Sequence, residues 1–234
     1  MMKRFLCRAM VPGLTIVVGQ WVVQARAAAP RPFNLEEMVV IADRIFIGIA
    51  VDHRMGWDQR GLPATFTTFT ISRALKGSPG DRIRVKQIQP PRIGSNGSTE
   101  WVPGIPQYQL EGEYLVFLMP DNALGFTSPV GALQGAFEVR SADGGVKSVV
   151  NGVDNTNLLI GLAEGDLTRL GLRSAKKSFL SRGRGLLRLD VMVSAIERAR
   201  NDREGISLQD AVTDPPVAEP PDDTVSGEGS SPAG

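Results

Sequence analysis

Between residues 44 and 150 apolar side chains recur at every second position, in short runs separated by glycine and proline, which is the period of β-strands. The strongest run lies between Gly112 and Pro120. There both alternating sets are apolar, with Tyr114, Val116 and Leu118 on one face and Leu115, Phe117 and Met119 on the other. A strand of that kind needs cover on both sides, so the pattern predicts a central strand opened at Gly112 and stopped at Pro120. Upstream, Ile45, Ile47, Ile49 and Val51 share one face of a predicted strand, and Phe46, Gly48 and Ala50 share the other. A Thr- and Phe-rich run from Thr65 to Leu75 and the alternation Ile83, Val85 against Arg82, Arg84, Lys86 predict a meander pair around the turn at residues 76–81. A short strand is expected at Gly125 to Val130, and a hairpin pairs Ala136 to Arg140 with Val146 to Val150 around Asp143, Gly144 and Gly145. The sum is six or seven strands of a small, mainly β unit, a barrel or a sandwich.

Helical spacing appears only at the two ends of this β region. Asn34 is placed to cap a short helix, with Glu37 three residues on as the capping-box carboxylate and Phe33 and Met38 as the staple. Its apolar face is Leu35, Met38, Val39 and Ala42. A last helix starts at Asp190, with Met192, Ala195, Ile196 and Ala199 on one face and Gly205 as its stop. Between them, residues 158–172 are apolar but interrupted by Gly161, Gly165 and Gly171. Two long polar segments read as loops: residues 52–63, with His53 and Trp57, and residues 89–109, with Trp101 and Tyr108. From Thr213 the chain is Pro, Asp, Glu, Ser and Gly with few apolar residues, the composition of a disordered tail.

The first residues change the reading of compartment and charge. Lys3, Arg4 and Arg8 precede the apolar stretch Ala9 to Val23, and small residues follow at Ala25, Ala27, Ala28 and Ala29, the pattern of a secretory signal peptide over residues 1–29. Export to the periplasm or beyond is therefore expected, with no transmembrane segment after cleavage. Taking Lys3, Arg4, Arg8 and Arg26 from the 26 basic residues leaves 22 against 25 acidic ones, a net charge of about −3 with no global nucleic-acid footprint. The single cysteine, Cys7, belongs to the leader, so the exported domain has no disulfide and must rely on an ordinary core.

Candidate chemistry is sparse. His53 is the only histidine, beside Asp52, and no Gly-x-Ser-x-Gly elbow accompanies it. Ser174 and Lys177 match a Ser-x-x-Lys spacing, but 15 serines and 6 lysines yield about 0.4 such pairs by chance. Asn151, Asp154, Asn155 and Asn157 offer oxygen atoms without the spacing of a calcium loop, and read better as a cap with a turn. No zinc set and no phosphate-binding glycine loop is present, so no metal and no cofactor is expected. The basic run Arg169, Arg173, Lys176, Lys177, Arg182, Arg184 and Arg188 reads as a solvated connector or as a contact to an anionic lipid or glycan. Trp57, Trp101 and Tyr108 are the candidate binding residues, as aromatic anchors for a sugar or a protein partner; Trp101 and Tyr108 read equally well as the lid of a barrel end.

Ala42-Asp43-Arg44-Ile45 running into Ile47 to Val51, Ala74-Leu75-Lys76-Gly77 with Gly80-Asp81, Gly104-Ile105-Pro106 leading to Gly112 to Leu118, and Gln134 to Val139 stand in an order that resembles a group of exported bacterial proteins. Their shared domain is similar to the OB-type barrel of netrin-like modules and tissue inhibitors of metalloproteinases. The resemblance covers residues 34–150 and implies a small OB-like β-barrel over residues 30–152, followed by a helical C-terminal appendage over 153–205 and the acidic tail over 206–234. Those inhibitors place an N-terminal cysteine on the catalytic zinc, and the exported chain has none, so inhibition by that route is not implied. The expectation is an exported, non-enzymatic binding module with an envelope protein or glycan partner and no nucleic acid. The rival readings are a protease-inhibitor-like protein and an envelope hydrolase.

Overall fold

A computed structural model describes residues 31–88, 104–142, 144–182 and 185–212. The predicted leader, Trp101, Asp143, Arg184 and the acidic tail from Thr213 lie outside the described residues.

The elements follow the hydrophobic pattern closely. Helix α1 (Leu35–Ile41) leads into β1 (Arg44–Trp57), β2 (Pro63–Lys76), β3 (Arg82–Ile88), β4 (Glu113–Leu118), β5 (Ala136–Ser141) and β6 (Lys147–Asn151). Helices α2 (Glu164–Leu170) and α3 (Arg173–Arg182), the two-residue strand β7 (Leu187–Arg188) and helix α4 (Leu189–Val212) complete the chain. The strands form one antiparallel sheet in the order β3-β2-β1-β4-β5-β6-β7. Strand β4, the doubly apolar run, is the middle strand, as its pattern requires.

Its alternation divides two cores. Tyr114, Val116 and Leu118 join Phe46, Phe69, Ile83, Val85 and Tyr108 on one face of the sheet. Leu115 and Phe117 join Ile45, Ile47, Phe137 and Val149 on the other, where α1, α2 and α4 supply Leu35, Met38, Leu167, Leu170, Met192 and Ile196. The segment expected as an appendage thus shares the core of the sheet. Helix α4 runs on through Gly205 to Val212, so the expected stop at Gly205 does not hold. A glycine inside a helix costs only about 1 kcal/mol.

Local chemistry explains the boundaries. The Asn34 side chain accepts the Glu37 N–H at 3.0 Å, and the Glu37 carboxylate accepts the Asn34 N–H at 3.0 Å, completing the predicted capping box. At the other end of α1, the Lys76 ammonium donates to the carbonyls of Val39 (2.8 Å), Val40 (3.1 Å) and Ala42 (2.5 Å). Gly77 follows with φ +69°, and a Cβ there would stand 2.8 Å from the Asp43 carbonyl oxygen. The spaced motif residues Ala42 to Arg44 and Leu75 to Gly77 therefore meet at a single helix-to-strand joint.

Three expectations are corrected. The sheet does not close: its edge strands β3 and β7 are not paired with each other, so the expected barrel is an open, seven-stranded sheet. The segment after β4 reaches across instead, with the Thr127 N–H donating to the Lys86 carbonyl at 2.9 Å. Residues 125–130 form no strand; they make a loop with one isolated bridge between Leu118 and Pro129. Residues 52–57, expected as loop, continue β1, because Thr65, Thr67 and Thr68 of β2 offer a complete backbone ladder to a polar partner. Ile49 and Val51, on the predicted strand face of Ile45 and Ile47, are about two-fifths exposed, since the helical layer covers Ile45 and Ile47 but not this far half of β1. Met119, beyond the last β4 residue, is likewise partly exposed.

Candidate functional site

The β1–β2 turn organises one end of the sheet. The Asp58 carboxylate accepts the N–H groups of Arg60 (2.9 Å) and Leu62 (2.7 Å), and the Asp58 N–H donates to the Leu62 carbonyl at 2.8 Å. Its second oxygen takes the Lys86 ammonium at 2.7 Å. Lys86 also donates to the Leu124 carbonyl at 2.8 Å and lies 3.9 Å from the centre of the Phe126 ring. One half-buried ion pair thereby ties the turn, β3 and the 119–130 loop together. The Lys86 hydrogen bond, helped by the backbone donors, holds the Asp58 carboxyl below the usual carboxylate range.

Cross-strand register builds a cationic and aromatic face on this frame. Arg54 of β1 and Lys86 of β3 both stand opposite Phe66 of β2. The Arg54 and Arg84 guanidinium groups lie 5.3 Å and 4.3 Å from the Phe66 ring centre. With Trp57, Arg60 and Leu124 they line a cleft of about 350 Å³. Trp57 is 66% exposed. Among the described residues no carboxylate makes an ion pair with Arg54, Arg60 or Arg84, whereas Asp58 is taken up by Lys86 and Asp52, two residues before Arg54, pairs with none of them.

A second, apolar cleft of about 510 Å³ adjoins the first and shares Leu124 with it. Leu62, Ile88, Ile105, Met119 and Phe126 form its walls, and Ile88, Met119 and Leu124 are among the more exposed large apolar side chains. Ile88 and Gly104, the described residues on either side of 89–103, both border it.

Of the three predicted binding residues, the two that are described, Trp57 and Tyr108, stand apart. Trp57 stands on the cationic face, and Trp101 lies outside the described residues. Tyr108 is buried, packed edge-on against Phe69 (4.9 Å) and Tyr114 (5.0 Å), so its ring completes the core and is not a free anchor. Burial pushes its phenol far above the ordinary range. The residues that sequence reasoning passed over are Arg54, Phe66 and Arg84. The alternation of Arg82, Arg84 and Lys86 is visible in the chain, but the strand that brings Arg54 and Phe66 beside it is not.

The other candidate groups are dispersed. His53 sits half-buried on β1 with Nδ1 3.2 Å from the Thr67 hydroxyl, and burial lowers its pKa against the raising effect of Asp52. Ser174 and Lys177 lie on the exposed side of α3. Asn151 and Asn155 are buried and bonded to each other and to the backbone, and among the described residues no group of three acids, histidines or cysteines is placed to hold a metal. In the basic run, Arg169 is bound by Glu36, Asp166 and Asp202, Lys176 by Glu164 and Arg188 by Asp190. Those carboxylates neutralise much of what the composition offered to an anion.

Fold and site together define a mainly β module with helices on one face and an arginine-rich, aromatic cleft at the hairpin end. No protein-family model matches the chain, and neither a curated protein nor a solved structure matches it. Among the described residues, no helix is long and apolar enough to cross a membrane.

Proposed function

We propose that this chain is an exported, non-enzymatic binding module that engages an anionic partner through the face made by Arg54, Trp57, Arg60, Phe66 and Arg84. The observation that carries the reading is that, among the described residues, no carboxylate pairs with three arginines gathered beside an exposed tryptophan on a paired, hydrogen-bonded hairpin. Guanidinium groups lacking a carboxylate partner hold donors ready for phosphate, sulfate or carboxylate oxygens, and an exposed indole adds contact area at little entropic cost. Two of the arginines are steadied on Phe66, which reduces the ordering that binding would require. The netrin-like resemblance fits a binding role equally, and export rests on the leader pattern.

The test is capture from the envelope fraction of the cells that make the protein, read by mass spectrometry, with the parent beside a variant carrying Arg54→Ala, Trp57→Ala and Arg84→Ala. A component retained by the parent and lost by the variant, with unchanged circular dichroism, supports the face as the binding surface. Retention by both proteins would place binding elsewhere.

A further inference from the structure

The cationic face does not end in solvent. At Leu124 it passes directly into the apolar cleft walled by Leu62, Ile88, Met119 and Phe126. One side of the junction offers guanidinium donors and the other a concave surface with few polar groups. Its volume of about 510 Å³ lies within the range of small-molecule sites, roughly 300 to 1,000 Å³. Among the described residues its polar side chains are Gln87, Asn122, Thr127 and Ser128, and Thr127 and Asn122 are already engaged. The Thr127 hydroxyl donates to the Met119 carbonyl at 2.7 Å, and the Asn122 side chain accepts from the N–H groups of Leu124 (2.9 Å) and Phe126 (3.0 Å). What the cleft can still exchange with a ligand is therefore mostly apolar area.

We infer that the ligand is a single-chain anionic amphiphile, with its acidic headgroup on Arg54, Arg60 and Arg84 and its alkyl chain in the cleft between Ile88 and Phe126. The inference rests on the binding reading above and adds the ligand's class. Charge complementarity selects the headgroup: the arginines have no carboxylate partner among the described residues, while Lys86, beside Leu124 at the junction, is already held by Asp58. An uncharged chain would leave the guanidinium groups unused. A small inorganic anion would leave Ile88 and Leu124 facing water. A sugar ring would place hydroxyl groups against walls that supply few partners for them.

The experiment is isothermal titration of the purified full chain with octyl, decyl and dodecyl phosphate, each below its micelle concentration, beside inorganic phosphate and the uncharged dodecyl maltoside. Each added methylene is expected to tighten binding about threefold to fourfold, the factor for burying one CH₂. The double variant Arg54→Glu and Arg84→Glu should weaken dodecyl phosphate about tenfold or more, and added salt should act in the same direction. Ser128→Phe, which fills the cleft from an exposed position, should flatten the chain-length series. Ile88→Asp, at a well-exposed position on the rim, is the second cleft variant should the first fold poorly.

Equal affinity for the three chain lengths would overturn the inference. If inorganic phosphate then still bound and was lost in the arginine variant, the cationic face would survive as an anion site without the alkyl chain. Equal binding of dodecyl maltoside would remove the headgroup argument. Binding to phosphatidylglycerol vesicles with none to the monomeric amphiphiles would replace the ligand with a bilayer surface. No binding to any of these probes would end the amphiphile reading, and the capture experiment would then decide the binding reading independently.

Discussion

Asn155 is fully buried at the exit of β6 and has φ +59°, so it carries both a hydrogen-bond and a backbone role. Its Nδ2 donates to the carbonyls of Val149 and Gly185, each at 2.9 Å, and its Oδ1 accepts the Asn151 N–H at 3.0 Å. Truncation in Asn155→Ala leaves those three groups without this partner. Each orphaned buried polar group costs about 1 to 3 kcal/mol, and placing a Cβ residue other than Asn in the left-handed region adds about 1 kcal/mol. Taking the low end for the hydrogen bonds, the expected loss is about 4 kcal/mol, a large share of the 5 to 15 kcal/mol typical of a domain. Urea unfolding followed by circular dichroism, with the slope unchanged, measures it. Asn155→Gly separates the two contributions: it loses the same hydrogen bonds without the backbone strain, so it should be about 1 kcal/mol less destabilised than the alanine variant. If both variants fell within about 1 kcal/mol of the parent, water would be satisfying the three groups and the cluster would not be a structural clamp.

Three further outcomes follow from single sites. The Tyr108 hydroxyl is buried and makes no hydrogen bond among the described residues, so Tyr108→Phe should be neutral or stabilising by up to about 1 kcal/mol; a loss above that in thermal unfolding would reveal a partner. Gly77→Ala should cost more than about 2 kcal/mol, because the left-handed φ and the 2.8 Å approach to the Asp43 carbonyl add, and a change below 1 kcal/mol in chemical unfolding would contradict that joint. Asp58 has its folded pKa depressed, so the stability it contributes is present above the unfolded value of about 3.9 and is lost as pH falls through the lower folded value. The gap in stability between the parent and Asp58→Asn should therefore shrink only in that acid window, and a gap independent of pH would refute the Lys86 pairing as its cause.

Several features of the fold were legible because they depend on neighbours in the chain. The capping box at Asn34 and Glu37, the doubly apolar β4 and the apolar stripe of α4 are each set by residues within two turns or one strand length, where side-chain period alone dictates which face is buried. The hairpin of β5 and β6 was legible for the same reason, through its Gly-rich turn. Closure of the sheet was not, because whether β3 meets another strand depends on the coil of the whole sheet and not on any local sequence.

The site follows the same division. Trp57 and the alternating cations of β3 could be picked out from residue type and spacing. Tyr108 looked alike in the sequence, but tertiary packing against Phe69 and Tyr114 made it core. Arg54 and Phe66 acquired meaning only when an antiparallel register set them opposite each other, the polar residues 52–57 being indistinguishable from loop until β2 supplies the hydrogen bonds. By itself the sequence determined the apolar parts of strands β1 to β6 and the first helix with its cap, because those depend on local period. Only the tertiary structure decided which arginines lack a carboxylate among the described residues and that they border an apolar cleft, because both depend on side chains far apart in the chain meeting across strands.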